Sequence, residues 1–359
     1  NSPHSPNVRE KIGRREFLTS TAATAVSFSV VSSNQVRGSQ ANSKITLGMI
    51  GCGMRGTWIA DLFIKHGGYQ LTGAADYFQD SVDKFGEKFG IPRNRRYTTL
   101  SGYKQLLAQG VDAVVIESPP YFHPIQAKAA LDAGTHVFLA KPIAVDVHGT
   151  QLVGKLGQEA SSKNLCLLVD FQTRTNSYYR EAVKRVHGGD IGKIGFGEAQ
   201  FNGGDVWNTW NPIGLYLKDN PGDPEARLRA WGLDKALSGD ILVEQCIHSI
   251  DVATWILDAV PETAYGSGGR VHYKNATVWD CFGVAYRFPG EVPVLVHAKQ
   301  FGKGYSAMGC RVQGLTGTVD TNYGGVVEIR GDHPYKGGST DSLYPDGASS
   351  NIADFHKNI

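Results

Sequence analysis

From Lys44 onward, short apolar runs alternate with stretches in which apolar residues recur at helical spacing. The first run is Ile45–Ile50, and the stretch after it has apolar residues on one helical face: Trp58, Ile59, Leu62 and Phe63. The alternation continues through residues 69–76, 101–110, 111–120, 123–134 and 135–142. A strand–helix repeat of this kind predicts a doubly wound α/β fold, with a parallel sheet and helices on both faces, over residues 43–165.

After Asp258 the pattern changes to strand-like runs. Phe288 and Val292 flank a Pro-Gly pair, and a strand–Pro-Gly–strand sequence predicts a β-hairpin. Residues 166–359 are therefore expected to form a second α/β domain. The final stretch, residues 349–359, is expected to begin a helix.

The first 42 residues differ from the rest in composition. Arg14 and Arg15 precede Phe17, Leu18 and a modest run rich in Ala, Ser and Thr that is too short for a membrane span. This pattern predicts a twin-arginine export signal and linker, and hence a periplasmic protein. The alternative is the basic start of an ordinary amphipathic helix.

The overall composition is that of a globular protein, with 41% apolar residues, 19% charged residues and a formal net charge of +2. Lys and Arg form no stripe, so nucleic acid is not an expected partner. The five cysteines include no Cys-x-x-Cys pair, which excludes zinc-ribbon and thioredoxin-type sites.

A glycine-rich turn, GCGMRG at residues 51–56, joins the first strand to the first helix. Gly51 suits the tight turn, Gly53 the close approach of a pyrophosphate, and Gly56 close helix–strand packing. The second strand ends in Asp76, 20 positions after Gly56, where an acid hydrogen-bonds the adenosine ribose. Because an acid repels a 2′-phosphate, NAD is expected rather than NADP. A plain turn residue is the alternative for Asp76.

Two further strand ends carry residues that are candidates for contacting a ligand. Ser118-Pro119-Pro120 follows one buried strand, and the stretch LAKPIA places Lys141 and Pro142 after the next. Ligands of such sheets bind beyond the carboxyl ends of the strands. Lys141 is therefore expected to point toward a bound nicotinamide, and the alternative is a solvated cation at a strand end.

Several motifs in order resemble the Gfo/Idh/MocA family of glucose–fructose oxidoreductase, inositol dehydrogenase and relatives. They are GMIGCGMRG, DAVVIESPPYFH, HVFLAKPIA, FQTRTNSYYREA and SGDILVEQCIHSID. The resemblance implies an N-terminal Rossmann domain and a C-terminal α/β domain with a large, mostly antiparallel open sheet. It also implies a nicotinamide cofactor, a sugar or cyclitol substrate, and a homo-oligomer, either dimer or tetramer. Family members usually continue past the equivalent of Ile359, so the chain is expected to be truncated there.

The resemblance also implies cofactor contacts from the motif positions. These are Gly51, Gly53, Met54, Arg55, Gly56, Asp76, Ser118, Pro119, Pro120, His123, Lys141, Pro142 and Gln172. The chain departs from the family pattern at Ala140, where Glu is usual, at Glu244, where Asp is usual, and at Glu117, where a small residue is common.

Oxidation of a secondary alcohol needs a base that takes the hydroxyl proton. In the helical pattern of residues 241–257, Glu244 and His248 are spaced i, i+4, and Asp251 follows on the same side. His248 is therefore expected to be the general acid/base, with Glu244 either orienting it or binding a substrate hydroxyl. Lys141 is expected either to hydrogen-bond the reacting hydroxyl and lower its pKa or to stabilise the alkoxide. Asp251 is a further candidate for orienting the ring or binding substrate. A metal site is a weaker alternative, and no metal is expected.

Other residues are expected to contact the substrate. Arg174 and Tyr179 match family positions near the sugar. The segment 201–240 lacks periodicity and carries Trp207 and Trp231, which suit a carbohydrate lid. A loop pinned to its own domain by these rings is the alternative.

Together these features predict an NAD-dependent oxidoreductase acting on a secondary hydroxyl of a sugar, cyclitol or sugar derivative. The first alternative is a redox-neutral lyase or glycosidase that uses tightly bound NAD for transient oxidation. The second is a sugar-binding protein without catalytic activity.

Overall fold

The computed structural model describes residues 44–359. The predicted export signal over residues 1–42 lies outside the described residues. Across residues 44–359, no helix combines the length and the apolar character that crossing a bilayer requires.

The first sheet has six parallel strands in the order β3-β2-β1-β4-β5-β6. Their bounds are β1 Ile45–Ile50, β2 Tyr69–Ala75, β3 Arg96–Tyr97, β4 Ala113–Ile116, β5 His136–Ala140 and β6 Leu167–Asp170. The connecting helices are α1 Met54–His66, α2 Gln79–Phe89, α3 Gly102–Ala108, α4 His123–Asp132 and α5 Val147–Ser162. This order confirms the predicted doubly wound Rossmann fold.

The first sheet buries both of its faces. On β4, Ala113 and Val115 pack into one hydrophobic layer, whereas Val114 and Ile116 pack into the layer on the opposite face. Successive side chains of a strand point to opposite faces, so a strand covered by helices on both sides is continuously apolar. This explains why these runs lack polar alternation.

The second sheet has eight strands in the order β14-β13-β12-β11-β7-β10-β9-β8. Their bounds are β7 Ile194–Gly203, β8 Thr263–Gly269, β9 Cys281–Phe288, β10 Val292–Gln300, β11 Ala307–Gly314, β12 Gly317–Asn322, β13 Val326–Gly331 and β14 Tyr335–Ser339. Only β7 and β10 pair in parallel among these strands, which confirms the mostly antiparallel sheet. The predicted hairpin is also confirmed, because Val292 pairs with Phe288.

Helices cover one face of the second sheet. The helices after β6 are α6 Gln172–Thr175, α7 Ser177–His187, α8 Pro224–Arg229, α9 Lys235–Ser238, α10 Ile241–Glu244, α11 Ile247–Leu257 and α12 Leu343–Lys357. Apolar residues of α7 and α11, such as Val183 and Val252, share a core with Val294 and Val312 of the strands.

The predicted boundary at residue 165 is wrong, for two reasons. Strand β6 extends the first sheet to Asp170. Helix α12 packs Ile352 and Phe355 into the core of the first sheet beside Phe63, although it lies at the end of the chain. Helix α12, at the end of the chain, therefore completes one of the helical layers on the first sheet. Residues 349–359, which were expected to begin a helix, instead form the later part of α12 and the residues after it.

Candidate active site

The glycine-rich turn has the geometry that its sequence predicts. Gly51 has φ of +95°, and a Cβ there would lie 2.5 Å from the backbone of Glu117. A Cβ on Gly56 would lie 2.0 Å from the carbonyl oxygen of Gly51, so helix α1 approaches β1 closely. A Cβ on Gly53 would meet open space, which leaves the backbone of the turn accessible to a ligand.

A cavity of about 800 Å³ opens at the carboxyl ends of β1, β2 and β4. One wall contains six of the predicted cofactor residues, namely Gly51, Gly53, Met54, Asp76, Ser118 and Pro119. The facing wall comes from the second half of the chain and contains Asn211, Pro212, Ile213, Tyr216, Leu228, Arg229 and Trp231. The volume lies within the range of ligand cavities, about 300–1,000 Å³.

Asp76 lies at the end of β2 and is held by the backbone of the turn. Its carboxylate accepts hydrogen bonds from the N–H groups of Cys52, at 2.7 Å, and Phe78, at 2.9 Å. Burial raises the pKa of Asp76, and these N–H groups together with the charge of Arg229 oppose the rise. The carboxylate is therefore fixed in the cavity wall, where it keeps lone pairs for a ligand hydroxyl.

Lys141 and Glu244 form a buried ion pair. The Nζ of Lys141 lies 3.0 Å from Oε1 of Glu244, and the two side chains are only 14% and 8% exposed. Nζ also donates to the backbone carbonyl of Glu244. Burial raises the pKa of Glu244, and the Lys141 charge opposes this. Lys141 is thus held by a carboxylate instead of being a solvated end of β5.

His248 follows Glu244 in the sequence and lies at the start of α11. Its ring stacks near Phe201 and tilts against Tyr323, with centroid separations of 5.8 and 5.0 Å. Burial, aided by the charges of Lys141 and Arg55, lowers the pKa of His248 well below its usual value of 6.5. The imidazole is therefore neutral at physiological pH and able to accept a proton.

The predicted link between Glu244 and His248 is wrong. The continuous helix expected over 241–257 breaks after Glu244, where Cys246 N–H bonds the carbonyl of Ile241 at 3.0 Å instead of continuing the regular pattern. Glu244 consequently binds Lys141 and makes no hydrogen bond to His248. The carboxylate orients the lysine instead of the imidazole.

Glu117 connects the cavity to this charged cluster and was not among the predicted site residues. Its side chain is 1% exposed, and Oε2 lies 3.4 Å from Nε of Arg55. Burial raises the pKa of Glu117 to about 7, against the charge of Arg55. The signal was present in the sequence, because an acid directly after a buried strand is as unusual as the lysine at the end of β5.

Three buried atoms of this cluster lack a protein partner. They are Oε1 of Glu117, Oε2 of Glu244 and Nδ1 of His248. Buried polar atoms are nearly always hydrogen-bonded, so a group of orphaned ones fits a ligand rich in hydroxyls. The open turn, the fixed Asp76 and these orphaned atoms together fit a dinucleotide followed by a polyol.

Two predicted cofactor residues, Arg55 and Gln172, use their side chains in hydrogen bonds outside the cavity. The guanidinium of Arg55 bonds Asp170 and the hydroxyl of Tyr344, which ties the turn to α12. Gln172 is buried between Asp170 and Tyr323, with hydrogen bonds of 2.9 and 3.1 Å. These side chains support the site from behind rather than line the cavity.

His123 also supports the site instead of lining it. Its ring nitrogens lie 2.8 Å from the carbonyl of Pro142 and 2.7 Å from that of Ser118, which joins the loops after β4 and β5. Burial lowers the pKa of His123 to about 4, so the ring is neutral and donates to one of the two carbonyls. Pro120 is buried at the start of a short 3₁₀ turn, and the Lys141–Pro142 peptide is cis.

The structure places the predicted substrate-binding residues of the second domain in contacts within the protein. Arg174 forms a bidentate pair with Asp251, at 2.8 and 2.7 Å, and stacks over Trp255. Tyr179 is 1% exposed and belongs to the core under the second sheet. Arg174 and Asp251 therefore satisfy each other within the protein, and their contact with substrate stays a prediction.

The tryptophan segment covers a different place from the one expected. Trp207 is 3% exposed and packs edge-on against Trp231 in a small core of its own. Trp231 lines the nucleotide cavity, while the cavity wall includes neither Lys141 nor His248. The segment is therefore pinned by its aromatic rings, and Trp231 faces the cavity at the carboxyl ends of β1, β2 and β4.

Within residues 44–359, no three His, Cys, Asp or Glu side chains are grouped so that they could hold a metal ion.

Comparison with known proteins decides the family. A sequence model described as the oxidoreductase family with an NAD-binding Rossmann fold matches residues 45–171, and the GFO/IDH/MocA C-terminal domain model matches residues 179–320. The chain belongs to the Gfo/Idh/MocA oxidoreductase family.

Individual relatives of this family member are distant. An inositol 2-dehydrogenase of Rhodococcus erythropolis is 25% identical over 219 residues, which are 60% of this chain and 54% of that protein. A glycosyl hydrolase family 109 protein of Shewanella sp. is 26% identical over 219 residues, which are 53% of this chain and 46% of that protein. The chain thus spans about half the length of the curated relatives it matches.

A solved structure supports the fold of the family member over most of its length. An inositol dehydrogenase homolog from Azotobacter vinelandii, in complex with NAD+, aligns with a TM-score of 0.69 at 18% identity, covering 88% of this chain and 85% of that chain.

Proposed function

We propose that this protein is an NAD-dependent oxidoreductase acting on a secondary hydroxyl of a sugar, cyclitol or sugar derivative. The observation that carries the proposal is the buried Lys141–Glu244 pair, whose lysine lies within electrostatic reach of the neutral His248 and of Glu117 in the cavity wall. Orphaned atoms on Glu117, Glu244 and His248 supply hydrogen-bonding positions for a polyol.

The protein's own groups have distinct roles in this proposal. His248 accepts the hydroxyl proton, because its lowered pKa keeps the imidazole neutral. Lys141 donates hydrogen bonds from Nζ to the oxygen as negative charge develops there. Glu244 holds Lys141 in place and leaves Oε2 for a neighbouring substrate hydroxyl. When bound, NAD accepts the hydride from the carbon that carries the hydroxyl.

The preference for NAD over NADP rests on Asp76. Its carboxylate lies in the cavity wall at the end of β2, where it hydrogen-bonds ribose hydroxyls and repels a 2′-phosphate. Asp76→Ser is expected to lower the ratio of NADH to NADPH affinity by about tenfold or more, measured by fluorescence titration.

The test is net reduction of NAD+ in the presence of a panel of cyclitols and sugars. The wild-type protein is expected to accumulate NADH with at least one of them, and His248→Asn to lose about 10²- to 10⁴-fold in kcat while still binding NADH. Lys128→Met, which removes an exposed lysine, is the matched control and is expected to retain activity. Cleavage of glycosides without net NADH formation would instead support the redox-neutral alternative.

We also infer that the protein is exported by the twin-arginine route and forms a homo-oligomer. Arg14 and Arg15 support export, and replacing both by lysine is expected to retain the protein inside the cell. On the uncovered side of the second sheet, Tyr265 and Leu295 are 82% and 42% exposed in one row across Ala285. A solution mass equal to that of one chain would contradict the oligomer.

A further inference from the structure

Residues 205–233, called the clasp here, form the second wall of the nucleotide cavity. They connect β7 to the helices that carry Glu244 and His248. The clasp contributes apolar side chains to the cavity, among them Ile213, Tyr216 and Trp231, and a single cation, Arg229. An apolar wall with one cation complements a flat aromatic base joined to phosphates.

The clasp is held together by apolar contacts. Trp207, Ile213, Leu217 and Leu233 form a small core that also includes Tyr273 from the β8–β9 connection. Asp205 accepts a hydrogen bond from the Tyr273 hydroxyl at 2.8 Å. Because this core is buried, the clasp is expected to move as one unit.

Contacts with the Rossmann half are polar and exposed. Arg229 forms a bidentate pair with Asp80, at 2.7 and 3.2 Å, and its guanidinium carbon lies 3.7 Å from the ring centroid of Phe78. The Tyr77 hydroxyl donates to Glu225 at 2.9 Å. Such exposed pairs contribute little to stability, so they hold the clasp closed without making it permanent.

Arg229 is also close to the residue that is expected to bind the ribose. Its charge opposes the rise in the pKa of Asp76, which places the guanidinium within electrostatic reach of that carboxylate. Both residues line the same cavity, Asp76 from β2 and Arg229 from the clasp.

We propose that the clasp is a binding element for the adenosine half of the dinucleotide, in which Arg229 and Tyr216 contact the ligand and the Arg229–Asp80 pair must open before it leaves. This inference rests on the proposed NAD-dependent function and adds to it a retained cofactor. It assigns the tryptophan segment to the cofactor rather than to the sugar.

The test measures NADH release by stopped-flow displacement from the purified full chain. Arg229→Ala is expected to speed release about tenfold, and Asp80→Asn about threefold, because each removes one exposed ion pair and the first also removes a stacking contact. The double variant is expected to release NADH no faster than Arg229→Ala, because both changes act through one contact. Asp83→Asn is the matched control, since Asp83 lies on the same helix but pairs with Arg96.

Binding of two fragments of the dinucleotide shows which half of it the clasp contacts. Arg229→Ala is expected to weaken binding of ADP-ribose about tenfold and to leave binding of nicotinamide mononucleotide unchanged. If the wild type binds NADH but both clasp variants release it at the wild-type rate, the clasp proposal is overturned and the proposed function stands. If the wild type binds no nicotinamide dinucleotide, both are overturned. Should Arg229→Ala fail to fold, as judged by circular dichroism, Asp80→Asn alone decides the question.

Discussion

Replacing Lys141 by methionine separates the stability role of the buried pair from its role in catalysis. The substitution keeps the length and apolar stem of the side chain but leaves the Glu244 carboxylate buried without its cation. Removing one partner of a buried ion pair costs about 3–5 kcal/mol when the other remains charged. Glu244 limits that cost by taking up a proton, because burial already raises its pKa.

The sign of the pH dependence follows from this raised pKa. A carboxyl whose folded pKa lies above its unfolded pKa opposes folding increasingly as pH rises. Lys141→Met raises the folded pKa of Glu244 further. The loss in free energy of unfolding relative to wild type is therefore expected to be about 1 kcal/mol near pH 5 and to grow to about 3 kcal/mol near pH 8.

Urea denaturation of wild type and Lys141→Met across this pH range measures the difference. Lys128→Met is the matched control, because its partner Asp132 is 51% exposed, and its effect on the free energy of unfolding is expected to be small at every pH. The double variant Lys141→Met/Glu244→Gln is expected to recover, at about pH 8, most of the stability lost in Lys141→Met. It is not expected to recover the lost activity, and its kcat is expected to stay about 10²–10³ below that of the wild type.

A pH-independent loss in Lys141→Met would refute the reasoning, because it would show that Glu244 does not titrate against Lys141 in the folded state. Recovery of kcat in the double variant would refute the catalytic role of the lysine.

The remaining predictions concern other parts of the site. In Glu117→Gln, kcat/KM for alcohol oxidation is expected to stay constant as the pH falls through 6.5, because burial holds the pKa of His248 well below that value. A fall in kcat/KM centred near pH 6.5 would contradict a neutral base. In the wild type, kcat/KM is expected to show an additional pH-dependent change near pH 7, because the pKa of Glu117 is raised to about 7. Gly53→Ala is expected to keep its melting temperature but bind NADH about tenfold more weakly, whereas Gly56→Ala is expected to unfold at lower temperature, because its Cβ would lie 2.0 Å from a carbonyl oxygen. Equal effects of the two alanines on melting would count against this account of the turn. Arg174→Ala is expected to lower the free energy of unfolding by about 1 kcal/mol with KM unchanged, and a large rise in KM would restore its predicted contact with substrate.

Features encoded by neighbouring residues could be predicted from the sequence. The first strand was expected at Ile45–Ile50 and is found there, because an apolar run between polar residues and a glycine turn defines both of its ends. The hairpin around Pro289-Gly290 could be predicted for the same reason, because the turn residues and the strands beside them are neighbours in the sequence. The position of Lys141 directly after β5 could also be predicted, because the apolar run that forms the strand ends at Ala140.

Features that depend on distant partners could not be predicted. Arg174 and Asp251 are 77 residues apart, and nothing in either local pattern shows that the two charges satisfy each other. The apolar residues of helix α12 recur at helical spacing, so the helix itself could be predicted. Its burial on the first sheet could not, because it depends on contacts with residues nearly three hundred positions earlier, such as Tyr69. The break after Glu244 was hidden because the apolar spacing of residues 241–257 fits an unbroken helix.

The most direct test of the central claim is transfer of deuterium in a single turnover. The protein is mixed with NAD+ and cyclitols or sugars that carry deuterium on the hydroxyl-bearing carbons, and the NADH formed is analysed by mass spectrometry. We expect deuterium in NADH from wild type and about 10²-fold or more slower transfer in His248→Asn and Lys141→Met. Wild-type protein that binds NAD+ but transfers no deuterium from any compound, or equal transfer by all three proteins, would contradict the account.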